Sequence, residues 1–128
     1  MDRLISKRQD AMRALATLEA ISKEPFSIII RDATIQRFEY TFEALWKFIK
    51  EYLKEHEGIN VNSPKSCFRA LFSTGVLTEE ETNRCLEMTD RRNDTSHTYK
   101  ETIADIIYGR INDSYVVLIK EVLTKLTF

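Results

Sequence analysis

Residues 90–101 read Asp90-Arg91-Arg92-Asn93-Asp94-Thr95-Ser96-His97-Thr98-Tyr99-Lys100-Glu101, a run that holds the parts needed to bind and break a phosphodiester. Arg92 can offset the charge that builds on a pentacoordinate phosphorus. His97 brings an imidazole, a group able to move the proton of a 2′-hydroxyl or of the leaving oxygen. Asn93 brings two donors and an acceptor to the Arg92 side, and Tyr99 brings a phenol. Thr98 and Glu101 have capping-box spacing, which predicts a helix N-terminus whose free N–H groups favour anions. Chemistry of this kind requires no metal ion. The same residues also fit a plainer arrangement, a polar knot at a helix end with His97 bonded to a carbonyl.

The elements that must position this run are helical. Cys85, Leu86 and Thr89 form an apolar stripe that continues into Arg92 and Asn93. Arg92 lies seven residues past Cys85, or two turns, so it shares the inward face, while Arg91 points roughly 100° away. An inward arginine needs an anion or a carboxylate. Upstream, Leu4, Ala11, Leu15 and Leu18, widened by Met12 and Ile21, predict a first helix from Asp2 to about Ser22, stopped by Lys23-Glu24-Pro25. Ile35, Phe38, Phe42, Leu45, Ile49 and Tyr52/Leu53 predict a second, from about Asp32 to about Glu55, ended by Gly58.

Ser63-Pro64 predicts the start of a short helix that turns Cys67, Phe68, Leu71 and Phe72 inward and stops at Gly75. Thr78-Glu79-Glu80-Glu81 is a capping box for the helix that carries Arg92. A last helix places Ile103, Ile107, Ile111, Tyr115, Leu118, Val122 and Leu126 in register, and Gly109 leaves open whether it kinks or breaks near Arg110–Asn112. The expected fold is all-α, an up-and-down four-helix bundle with an additional short helix, spanning 1–128 as one domain.

The 128 residues are 43% hydrophobic and 30% charged, with three Gly and two Pro. That apolar share can build a core, and so few turn formers argue against an all-β chain. A net charge of −1 excludes a histone-like coating of nucleic acid, so any RNA contact must be local. The sequence carries no membrane-span or signal-peptide pattern, which leads to a cytoplasmic expectation. Cys67, Cys85, His56 and His97 do not form any familiar metal-ligand spacing, and no cofactor is expected. The two thiols read as small core residues. Lys65 and Arg69, one turn apart, offer either a basic rim for RNA or simple solubility. Glu39 and Glu43 read as solvated surface or, more sharply, as carboxylates that orient Arg92 or His97. Trp46 and Tyr40 lie beside the second-helix seam, and His56 reads as surface.

Arg92, His97 and Tyr99 together resemble the R-x4-H-x-Y signature of HEPN domains. The stretch from Arg31 to Lys47, Arg31-Asp32-Ala33-Thr34-Ile35-Gln36-Arg37-Phe38-Glu39-Tyr40-Thr41-Phe42-Glu43-Ala44-Leu45-Trp46-Lys47, resembles one branch of them, the nucleotidyltransferase substrate-binding proteins, as does Ser63-Pro64-Lys65. The resemblance covers nearly the whole chain. It implies a helical bundle that forms a homodimer and assembles with a minimal nucleotidyltransferase encoded by a separate gene. In related toxin–antitoxin pairs it implies an RNase toxin silenced by adding AMP to the motif tyrosine. By that resemblance Arg92 and His97 are the catalytic candidates, Asn93 is the polar neighbour, and Tyr99 is the AMP acceptor. A non-catalytic subunit that presents a nucleotide or substrate to the transferase is the alternative. The transferase chemistry itself is not expected here, since the chain has no Gly-Ser turn and no Asp-x-Asp pair.

Overall fold

Six helical segments make up the chain: α1 (Asp2–Ser22), α2 (Ile28–Glu57), α3 (Pro64–Ser73), α4 (Glu79–Asp94), α5 (Glu101–Arg110) and α6 (Val116–Lys125). They come from a computed structural model that describes residues 1–128. A 3-10 turn, Thr95–His97, follows α4, and a π-turn, Ile111–Tyr115, joins α5 to α6 without a break. Helix covers 82% of the chain and there is no strand. With α5 and α6 counted as one rod, four long helices and the short α3 form the expected all-α up-and-down bundle.

The long α2 is the centre of the bundle and packs against α1, α3, α4, α5 and α6. Its seam residues Ile35, Phe38, Phe42, Leu45, Ile49, Tyr52 and Leu53 are all buried, as their three-and-four spacing predicts. Phe38 stacks on Tyr115 with ring centroids 5.5 Å apart, and Phe42 meets Phe68 at 6.2 Å. Each such aromatic stabilises the fold by roughly 1.5–3 kcal/mol through removal of apolar surface from water.

Local signals set the helix ends. Ser63 caps α3 by accepting from the Ser66 N–H at 3.2 Å, with Pro64 in the first helical position. At α4 the capping box is complete: the Glu81 N–H donates to the Thr78 hydroxyl, and the Thr78 N–H donates to the Glu81 carboxylate at 2.8 Å. Lys125 also reaches this carboxylate, and its ammonium, followed by the Thr78 amide, holds the Glu81 pKa below the usual range. Gly58 ends α2 in the left-handed region at φ 63°, where a side chain would be strained.

Several expectations are corrected. α2 begins four residues before Asp32, because Ser27 is a better start signal: its hydroxyl accepts from the Ile30 N–H at 3.0 Å. Phe72 and Met12 are 47% and 48% exposed and do not face the core. Asn93 is exposed as well, because it follows Arg92 by about 100° and so leaves the inward stripe. The capping box expected at Thr98 and Glu101 does not form; the Thr98 hydroxyl donates instead to the Thr95 carbonyl, and the α5 N-cap is Lys100. The last helix, which Gly109 left open to a kink or break, is unbroken past that residue and widens over Ile111–Tyr115, overlapping the Arg110–Asn112 stretch, where the Val116 N–H donates to the Ile111 carbonyl five residues back.

Candidate functional site

Arg92 occupies the last turn of α4, where the stripe of Cys85 and Thr89 meets the side of α2. Its side chain is one-quarter exposed. Glu39 and Glu43, one turn apart on α2, flank the guanidinium at 3.6 and 3.7 Å. This is the orienting role that their spacing allowed. The guanidinium also donates to the Thr95 hydroxyl at 2.9 Å, and that hydroxyl donates to the Arg92 carbonyl. The buried Nε has no hydrogen-bond partner. The result is an arginine fixed in place with one donor unused, at the wall of a groove of about 380 Å³ lined by Gln36, Glu39, Tyr40, Glu43 and Arg92.

His97 ends the 3-10 turn and is exposed. It does not line the Arg92 groove, and within one chain no cavity contains both residues. Tyr99, 74% exposed, packs edge-on against His97 at 6.1 Å between ring centroids. Its hydroxyl is free of hydrogen bonds, and Lys100 sits over its ring. His97 and Tyr99 thus form one exposed pair next to the α5 N-terminus, and Arg92 forms a second, partly sheltered centre.

On α3, the Lys65 ammonium is engaged by Asp90 at 2.7 Å, whereas Arg69 is exposed and forms no ion pair. Trp46 donates its indole N–H to Glu43 at 3.1 Å, which ties the α2 carboxylate in place. Tyr40 shares a hydrogen bond with Thr17 on α1. His56 lies in the last turn of α2, stacked on Tyr52 at 4.7 Å. Burial pushes both thiols, Cys67 and Cys85, up to about 12, as expected of core cysteines.

The sequence model of the family described as "nucleotidyltransferase substrate binding protein like" matches residues 5–127. This chain belongs to that family. Among solved structures, the family member is similar to a Thermus thermophilus protein at 45% identity and TM-score 0.87, over 92% of this chain and 99% of that one. It also matches a tri-AMPylated Shewanella oneidensis HEPN toxin solved in complex with its MNT antitoxin, at 16% identity and TM-score 0.78, over 98% and 96% of the two chains. A Haemophilus influenzae protein described as a substrate binding domain of a nucleotidyltransferase matches at 20% identity and TM-score 0.64, over 98% and 97%. At those two lower identities the likeness establishes a shared fold. No curated protein matches in sequence.

One residue of this substrate-binding family member escapes the sequence reading. Arg31 is 97% buried and bonds Asp32 at 3.0 Å, Glu101 at 2.5 Å and Asp105 at 3.0 Å. The hydrogen bonds it donates to Glu101 and then to Asp105 raise its pKa, which secures the charge. It joins the first turn of α2 to the first turn of α5 and so anchors the chain two residues past Tyr99. The signal was present, since Arg31 stands four residues before Ile35 and seven before Phe38, on the seam itself.

Proposed function

We propose that this chain is the HEPN-type subunit that works with a separately encoded minimal nucleotidyltransferase, and that it is the RNase toxin of such a pair. In this reading RNA is cleaved without a metal ion. His97 accepts the 2′-hydroxyl proton, the 2′-oxygen attacks phosphorus to form a 2′,3′-cyclic phosphate, and the P–O5′ bond breaks as the 5′-oxygen takes a proton from water. Arg92 stabilises the charge on the phosphorane. The observation that carries this reading is Arg92: an arginine held by Glu39 and Glu43, with a buried donor unused, facing an open groove. Because His97 is absent from that groove, the reading requires a homodimer that brings two copies of the motif into one shared cleft. Tyr99 suits the acceptor role because its hydroxyl is unbonded and its ring is exposed. AMP there would place bulk and negative charge where RNA phosphate must approach.

The deciding experiment incubates purified protein with labelled single-stranded RNA, alongside Arg92→Ala and His97→Ala. Turnover by the parent and loss of at least a hundredfold in both variants is the expected result; equal turnover in all three refutes the cleavage. Co-expression with the neighbouring transferase, followed by mass spectrometry, is expected to place AMP on Tyr99.

A second reading, a non-catalytic subunit that presents a nucleotide or substrate to the transferase, draws on a specific observation. The Arg92 charge is already matched by two carboxylates, and His97 is not among the residues that line its groove in the single chain. That reading expects a stable complex with the transferase and no RNA turnover.

A further inference from the structure

The side of α1 turned away from Lys7 and Asp10 carries a second groove, of about 420 Å³, lined by Ile5, Arg8, Gln9, Met12, Arg13 and Phe128. Neither of its arginines forms an ion pair or a hydrogen bond, although most other arginines of the chain are so engaged. Arg8 only lies over the Phe128 ring, at 5.6 Å. Ile5, Met12 and Phe128 are each more than 40% exposed.

The angular arrangement has the form of a helix seam. At about 100° per residue, Ile5, Gln9, Met12 and Ala16 fall within a strip about 60° wide. Arg8 borders the strip on one side and Arg13 on the other. Ile5 and Met12 are seven residues apart, the spacing of one coiled-coil seam. From Ile5 to Ala16 the strip runs about 16 Å, or three turns.

We infer that this α1 strip is a docking site for an amphipathic helix of a partner protein, with apolar residues along its centre and glutamates or aspartates on both flanks. Charge decides the occupant. A second copy of the chain, placed here about a two-fold axis, brings the Arg8 and Arg13 flanks against their own copies, and like charges at such flanks oppose pairing. A helix with acidic flanks meets Arg8 and Arg13 with carboxylates while Ile5, Met12 and Phe128 take its apolar side chains. This surface is separate from the Arg92 groove and does not depend on RNA cleavage.

The test uses the full chain, labelled with ¹⁵N, and two synthetic helical peptides with identical leucine seams, one flanked by glutamates and the other by lysines. The glutamate peptide is expected to shift amide signals of residues 5–16 and Phe128, with affinity falling as salt rises. The lysine peptide is expected to bind at least tenfold more weakly. The double variant Arg8→Glu/Arg13→Glu is expected to reverse that preference, with an unchanged spectrum elsewhere showing that it folds. Shifts that fall outside α1, equal binding of the two peptides, or no reversal in the double variant would overturn the inference. So would sedimentation showing that the chain pairs with itself through this strip, in a form dispersed by Met12→Glu.

Discussion

Arg31 and Glu101, seventy residues apart in sequence, meet at 2.5 Å across the bundle. The arginine is buried and the carboxylate is largely exposed, so the two ends of this bond behave differently when it is cut. Glu101, Asp105 and Asp32 can return to water, whereas a shortened residue 31 leaves a void in the α2–α5 contact.

Arg31→Ala is therefore expected to cost on the order of 2 kcal/mol, the range for a lost charge-assisted bond in a part-buried site. Thermal unfolding followed by circular dichroism should show a fall of several degrees. Arg31→Lys is expected to recover little, because one ammonium cannot serve three carboxylates placed around a planar fork. An unchanged midpoint in both variants would contradict the anchoring role.

Glu39 and Glu43 offset the Arg92 charge from one side of the groove. Replacing both by glutamine leaves that charge unmatched, and the affinity for a short single-stranded RNA is expected to rise several-fold at low salt. Fluorescence anisotropy over a salt series checks this, and the gain should shrink as screening increases. Adding Arg92→Ala to the pair is expected to remove the gain entirely.

The two threonines with capping-box spacing make opposite predictions. Thr78→Ala removes a hydroxyl that caps α4 and is expected to cost about 1 kcal/mol. Thr98→Ala removes only a bond to the Thr95 carbonyl and is expected to leave the α5 start unaffected. Denaturant midpoints of the two variants separate the cases.

Burial holds the Cys67 and Cys85 thiols protonated to about pH 12, above their ordinary value of 9.0. Between those values the native state keeps protons that the unfolded chain releases, so stability is full below pH 9 and declines as pH rises towards 12. Chemical denaturation at pH 8, 9.5 and 10.5 should show that decline, and Cys67→Ala/Cys85→Ala should flatten it. Both thiols are expected to resist a thiol reagent at pH 8 until the protein unfolds.

The bundle was legible because its seams repeat strictly: every apolar seam residue read in α2 is buried, and the caps at Ser63 and Thr78 form as their spacing predicts. The errors came where one pattern admitted two outcomes. Thr98 and Glu101 satisfy the capping spacing, yet the preceding 3-10 turn gives the Thr98 hydroxyl a closer carbonyl. Phe72 adjoins the α3 stripe but lies on its open side. Of the candidate site, the Arg92 placement followed from periodicity, whereas the spacing of Glu39 and Glu43 fitted solvated surface as well as the partnership with Arg92 that the structure shows. The separation of His97 from the Arg92 groove did not, because a turn of 3-10 helix after α4 redirects the chain in a way that no residue count reveals.

The π-turn gives the α5–α6 rod slack. Eight residues of regular helix would leave Tyr115 about 80° off the direction of Ile107, yet both are buried and Tyr115 still donates to Glu87 at 2.5 Å. The widened turn absorbs one residue, so the rod holds one more than a regular helix between the same ends would need. Deleting the exposed Asp113 should therefore let the turn close to ordinary pitch while Leu118 and Val122 keep their places, a tolerance to shortening more typical of a loop than of a helix interior.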